Sequence, residues 1–199
     1  MHAAAFALAI PAGAILVAAA SGAVARASAA VYAATLVVMF GCSAAYHRLA
    51  RSAVARRRMQ RLDHAGIYLL IAGTYVPVTM VAFPRRWGVP VMAVIGAAAV
   101  LGVVLKLAVF DRARSFSYLL YPIMGWAAVV TLPVMVDLLT PLQLALVVAG
   151  GLVYSLGIPV LVRRRPDPWP STFGYHEVWH AFVVVAAVLH FAAVASIVA

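Results

Sequence analysis

Gly174-Tyr-His-Glu-Val-Trp-His-Ala-Phe-Val-Val-Val-Ala-Ala-Val-Leu-His-Phe191 opens the last apolar stretch of the sequence, which runs to Ala199. From Glu177 to Val198 it offers the ~20 mainly apolar residues that a helix needs to cross the hydrocarbon core of a bilayer. His176 and His180 stand four residues apart. On an α-helix that spacing puts both imidazoles on one face, one above the other. Two neutral imidazoles so placed are half of a metal site. Two questions follow: how many such helices the chain has, and which polar side chains share the depth of this pair.

The 199 residues are 66% hydrophobic and only 10% charged, and the mean hydropathy is +1.05. A soluble globular domain does not have that balance; long apolar runs mean membrane helices. The alternating pattern of a β-barrel is absent, so the expectation is an all-α membrane protein, a seven-transmembrane helix bundle forming one domain over residues 1–199. The seven segments are read at Ala3–Ala20, Ala29–Leu49, Ala65–Phe83, Val89–Phe110, Phe116–Val136, Leu142–Val162 and Glu177–Val198. Ala25-Arg-Ala27 resembles a signal-peptide cleavage site, but the first segment lacks a positive leading region and its apolar run is long for a signal. It is read as a retained helix. The single cysteine, Cys42, rules out an intrachain disulfide.

A net charge of +10 would suggest nucleic acid in a soluble protein. Here the basic residues sit in short loops. With seven spans, one side receives the N-terminus and the loops after the second, fourth and sixth segments. Those loops hold Arg48, Arg51, Arg56, Arg57, Arg58, Arg61, Lys106, Arg112, Arg114, Arg163, Arg164 and Arg165, twelve of the 15 basic residues. Only Arg26, Arg85 and Arg86 fall on the other side. The positive-inside pattern then places the N-terminus in the cytoplasm and the C-terminus outside, in a multi-pass protein of the plasma membrane with no nucleic-acid partner. The loop Arg48–Leu62 is read as this topology signal and a contact for anionic lipid.

Ionisable and polar side chains at membrane depth are costly and mark function by default. Three groups qualify. The second segment ends in Ser43-Ala-Ala-Tyr-His47, the third opens with Asp63-His64, and the seventh opens with His176-Glu-Val-Trp-His180. By the topology above all three lie near the cytoplasmic face. Three imidazoles and one carboxylate in one layer suit Zn²⁺. Three histidines with a water form a catalytic zinc arrangement, in which the metal lowers the water's pKa toward neutrality.

Plainer roles exist for each residue. His47 can be an interfacial histidine beside Arg48. Asp63 is well suited to cap the third helix at its N-terminus. Ser43 can bond a carbonyl one turn back. His64 and His190 read as packed histidines. His176-Glu177-Val178-Trp179-His180 also fits the H-E-x-x-H pattern, in which the glutamate is a general base. The longer form of that pattern wants Gly and His where Val183 and Ala186 stand, and no carboxylate follows Glu177. A metalloprotease would need Asp63 as its third ligand.

At these residues the chain resembles the haemolysin III family, the bacterial branch of the progestin and adipoQ receptor (PAQR) membrane proteins. The likeness rests on Ser43-Ala-Ala-Tyr-His47, Asp63-His-Ala-Gly-Ile-Tyr-Leu-Leu-Ile-Ala-Gly-Thr-Tyr-Val-Pro77, Gly174-Tyr-His-Glu-Val-Trp-His180 and His190-Phe191, and covers nearly the whole chain. It implies a zinc ion held by His47, His176 and His180, with Asp63 reaching it directly or through water and Ser43 nearby. The wider superfamily includes alkaline ceramidases, which implies lipid amide hydrolysis; the family name implies cytolysis.

The leading expectation is a zinc-dependent hydrolase of lipid amide or ester bonds, with a membrane lipid as substrate. Asp63 would take the proton of the water, and Ser43 would orient that water or bond the developing oxyanion. The rival expectations are a membrane sensor with a structural zinc and a lytic pore-forming protein. Haem is disfavoured, because only His190 lies deep in the bundle.

Overall fold

The computed structural model describes residues 1–112 and 114–199. Among them the chain forms eight α-helices: α1 (His2–Ala19), α2 (Ala23–Leu49), α3 (Ala53–Pro77), α4 (Arg85–Ala108), α5 (Arg114–Trp126), α6 (Leu132–Leu138), α7 (Pro141–Arg163) and α8 (Tyr175–Val198). Helix α3 continues through a wide π turn, Val78–Ala82. A tight 3₁₀ turn, Ala127–Thr131, joins α5 to α6. Counted as spans, these make seven helices long and apolar enough to cross a membrane.

Proline accounts for both irregular turns. Pro77 ends the regular part of α3 just before the backbone widens. Pro133, at the start of α6, has no N–H to offer the carbonyl of Val129, which instead accepts from the Leu132 N–H. The preceding turn tightens to make that bond, which splits the fifth span.

The outer surface is apolar. Leu8, Ile15, Val94, Val130 and Val162 are each more than two-thirds exposed. Such a surface would aggregate in water but matches lipid tails. Inside, Tyr32, Leu36, Met39 and Phe40 of α2 pack with Leu70 of α3 and Val183, Ala187 and Val194 of α8. Helix α8 touches α1, α2 and α3 as well as α7, so the last helix closes the bundle. Small residues allow these approaches. At Gly66 an added Cβ would lie 3.2 Å from the Met39 backbone, and at Gly150 it would lie 2.6 Å from the His190 ring.

The alternating course of the helices gathers the start of α1, the end of α2, the start of α3 and the start of α8 at one end. At the opposite end the Ser21 N–H donates to Val198 O at 2.8 Å, and Gln143 Nε2 donates to Ser196 O at 2.9 Å.

Two expectations need correction. Arg48–Leu62 is not a loop: only residues 50–52 join α2 to α3, and Arg56, Arg57, Arg58 and Arg61 ride on the first turns of α3. Asp63 therefore does not cap that helix. Ser52 does, its side chain accepting from Ala55 N–H at 3.1 Å. Hydropathy marks where a helix enters the apolar layer, and α3 begins about three turns earlier. Helix α2 likewise starts at Ala23 rather than Ala29.

Candidate metal centre

The second and sixth residues of α8 are His176 and His180. Their positions are set by the start of that helix. Gly174 N–H donates to Glu177 Oε2 at 3.0 Å, and Tyr175 N–H donates to Asp167 Oδ1 at 2.9 Å. Two carboxylates thus satisfy orphan donors of the first turn and suit the helix dipole. The centroids of the His176 and His180 rings are 4.3 Å apart.

Facing them, the last turn of α2 presents His47. Its ring centroid is 5.0 Å from that of His176 and 5.1 Å from that of His180. One ligand nitrogen from each of the three rings lies within 4.8 Å of the other two. His47 Nε2 and His176 Nε2 are 3.3 Å apart. Tetrahedral zinc with Zn–N bonds near 2.05 Å separates its nitrogens by about 3.3 Å. The donor set and this spacing both fit a zinc ion, and the side chains need only small adjustments to converge.

One turn back on α2, Ser43 is 1% exposed. Its hydroxyl lies beside the Asp63 carboxyl, which α3 brings in half-buried. Asp63 is outside the group of three imidazoles. It adjoins the centre through Ser43. In place of a backbone carbonyl, Ser43 Oγ contacts His2 Nδ1 at 2.7 Å.

His2 is the residue that sequence reasoning missed. It sits in the first turn of α1, 6% exposed, with its ring stacked on that of His180. The signal was available: the start of α1 shares its end of the bundle with His47, Asp63, His176 and His180.

The remaining candidates are accounted for. His64 stacks against Phe110, with Tyr118 Oη 3.4 Å from its Nδ1, a packing role. His190 lies against Gly150, its Nε2 3.2 Å from Val147 O. Glu177 gives its Oε2 to the Gly174 N–H as a helix cap, a structural role for the glutamate of the H-E-x-x-H pattern.

The comparisons agree with this architecture. Residues 1–191 match the family described as haemolysin-III related. The chain belongs to the haemolysin III family. It is 31% identical over 187 residues to Hemolysin-3 of Bacillus cereus, covering 92% of this chain and 82% of that protein. It is 28% identical over 126 residues to the Hemolysin-3 homolog of Bacillus subtilis, covering 63% and 56%. Likeness to the adiponectin receptor protein of Drosophila melanogaster, 26% over 174 residues, places the family within the PAQR superfamily. That match takes in 78% of this chain and 39% of the receptor.

Proposed function

We propose that this chain is a zinc-dependent membrane hydrolase that cleaves lipid amide or ester bonds. The observation that carries the reading is the convergence of His47, His176 and His180, within 4.8 Å at their ligand nitrogens, with Ser43 one turn back from His47 and Asp63 bonded to Ser43. Bound there, zinc supplies a Lewis acid that makes water a nucleophile near neutral pH and polarises a carbonyl. The three imidazoles would hold the ion. Asp63 accepts the proton of the attacking water, as a general base. Ser43, whose one proton is held by the Asp63 carboxylate, orients that water through a lone pair of its oxygen. The end carrying the centre also carries twelve of the 15 basic residues, so it is assigned to the cytoplasmic face of the plasma membrane.

The test is hydrolysis by the purified protein of a panel of ceramide-like amides and lipid esters, titrated with a chelator. Turnover that the chelator abolishes and zinc restores supports the reading. No turnover across the panel by zinc-loaded protein overturns it.

A second reading is favoured by the placement of His47 and His176 at helix ends, where a metal would staple α2 to α8. The protein would then be a sensor with a structural zinc, and metal removal would lower stability with no turnover to lose. The name of the Bacillus cereus relative motivates a third, membrane lysis. Dye leakage from liposomes that persists in His180→Ala would favour lysis independent of metal.

A further inference from the structure

We propose that His2 is a fourth histidine of the centre, a positioning residue that fixes the ring plane of His180 from α1. Its functional consequence rests on the zinc reading above.

His2 opens a span that is otherwise apolar, and an imidazole there needs a reason to be buried. The His2 and His180 rings are stacked, centroids 3.7 Å apart and planes 18° from parallel. Phe40 also meets the His2 ring in an edge-to-face contact, at 5.1 Å and 74°. The His2 ring is therefore held by an aromatic contact to Phe40 and by the face of His180.

The same geometry argues against His2 as a ligand. An imidazole binds metal in its own plane, along a nitrogen lone pair. With two planes nearly parallel at 3.7 Å, one ion cannot lie close to both nitrogens and in both planes. His2 acts through His180 instead.

Hydrogen bonding sets the orientation of His2. Ser43 Oγ lies 2.7 Å from His2 Nδ1 and also beside the Asp63 carboxyl. A carboxylate only accepts, so the single Ser43 proton goes to Asp63. The Ser43 oxygen then accepts from His2 Nδ1–H. This fixes the tautomer and leaves the lone pair on Nε2, which is buried with no hydrogen-bond partner among the described residues. The chain Asp63–Ser43–His2 thus ties α3, α2 and α1 to the ring that α8 supplies. Groups that orient a metal ligand in this way are worth 10–100-fold in affinity.

The experiment compares full-length, detergent-purified wild type with His2→Ala, His2→Phe and His2→Gln. Zinc affinity is read by competition with a chromophoric chelator, and site geometry by the visible spectrum of the cobalt-substituted protein. His2→Ala is expected to weaken zinc about tenfold and to shift the cobalt bands. His2→Phe keeps a ring to stack on His180 and is expected to recover most of the affinity. His2→Gln keeps only a bond to Ser43 and is expected to resemble His2→Ala. Wild-type affinity with an unchanged cobalt spectrum in His2→Ala overturns the proposal. If His2→Ala does not fold, equal affinities in His2→Phe and His2→Gln overturn it.

If wild type takes up no zinc, the proposed function fails while the stack is still readable. In metal-free protein with labelled histidines, the His180 ring-proton resonances are expected to move when His2→Phe replaces the overlying ring. Unmoved resonances overturn the inference.

Discussion

His47 Nε2 and His176 Nε2 lie 3.3 Å apart although 129 residues separate them in the chain. Nothing local brings them together. The parity of the helices carries the end of α2 and the start of α8 to one end of the bundle, and packing between those helices does the rest. Two neutral imidazoles at that distance share a proton or share a metal. His180 lies close to both, which makes the three a group that could hold a metal ion.

Alanine at His47, His176 or His180 is expected to remove zinc. Elemental mass spectrometry on purified wild type should give about one zinc per chain, as a single mononuclear site requires. Each variant should fall to a small fraction of that. Full zinc in His176→Ala and His180→Ala would place the ion elsewhere.

Stripping the metal is expected to soften the fold. A ligand at about 100 times its Kd stabilises the native state by about 2.7 kcal/mol. For a chain of this length that is a fall in Tm of roughly 5–10 °C. Thermal unfolding in detergent, with chelator and then with added zinc, checks both the fall and its reversal. The shift should vanish in His180→Ala.

Asp63 and Glu177 are expected to separate cleanly. Glu177 Oε2 receives Gly174 N–H, and glutamine can accept that bond equally well. Glu177→Gln should therefore leave lipid hydrolysis close to wild type. Asp63→Asn removes the proton acceptor and should cost about 10²–10⁴ in rate. The opposite ranking would restore the H-E-x-x-H chemistry.

Gly150→Ala tests the role of His190. The new methyl would meet the His190 ring at 2.6 Å, displacing it from Val147 O. Overpacking of this kind costs about 1–3 kcal/mol. A lowered Tm with unchanged zinc content is expected. Loss of zinc would tie His190 to the centre.

The assignment of sides is checked by labelling. In a Cys42→Ser background, Arg85→Cys should react with an impermeant maleimide on intact cells. Arg57→Cys should react only after permeabilisation. The reverse pattern would turn the centre outward.

Much of this was legible from residue order. The apolar runs revealed seven spans, because the bilayer demands length and hydropathy together. Ser43, His47, Asp63, His176 and His180 were found by asking which polar residues share a depth. What was not legible has physical reasons. Helix α3 begins well before its apolar run, so a cap role for Asp63 stood open as the plainer alternative until Ser52 was seen to supply the cap. The break in the fifth span needed the position of Pro133 relative to Val129 to be weighed. His2 has no partner at helical spacing within α1; its contacts, with Ser43, Phe40 and His180, all come from other helices.

The contacts of His2 with His180 also set an order of events during synthesis. The centre draws on the first turn of the first helix and the first turns of the last. While the chain is still being threaded into the membrane, α1 must wait through five further spans before its partner emerges. A nascent chain halted before α8 holds His2, Ser43, His47 and Asp63 but has neither imidazole that faces them. Such a chain has one histidine of the three and no grip on zinc. A metal held by the three imidazoles would thus be captured only by chains whose insertion is finished.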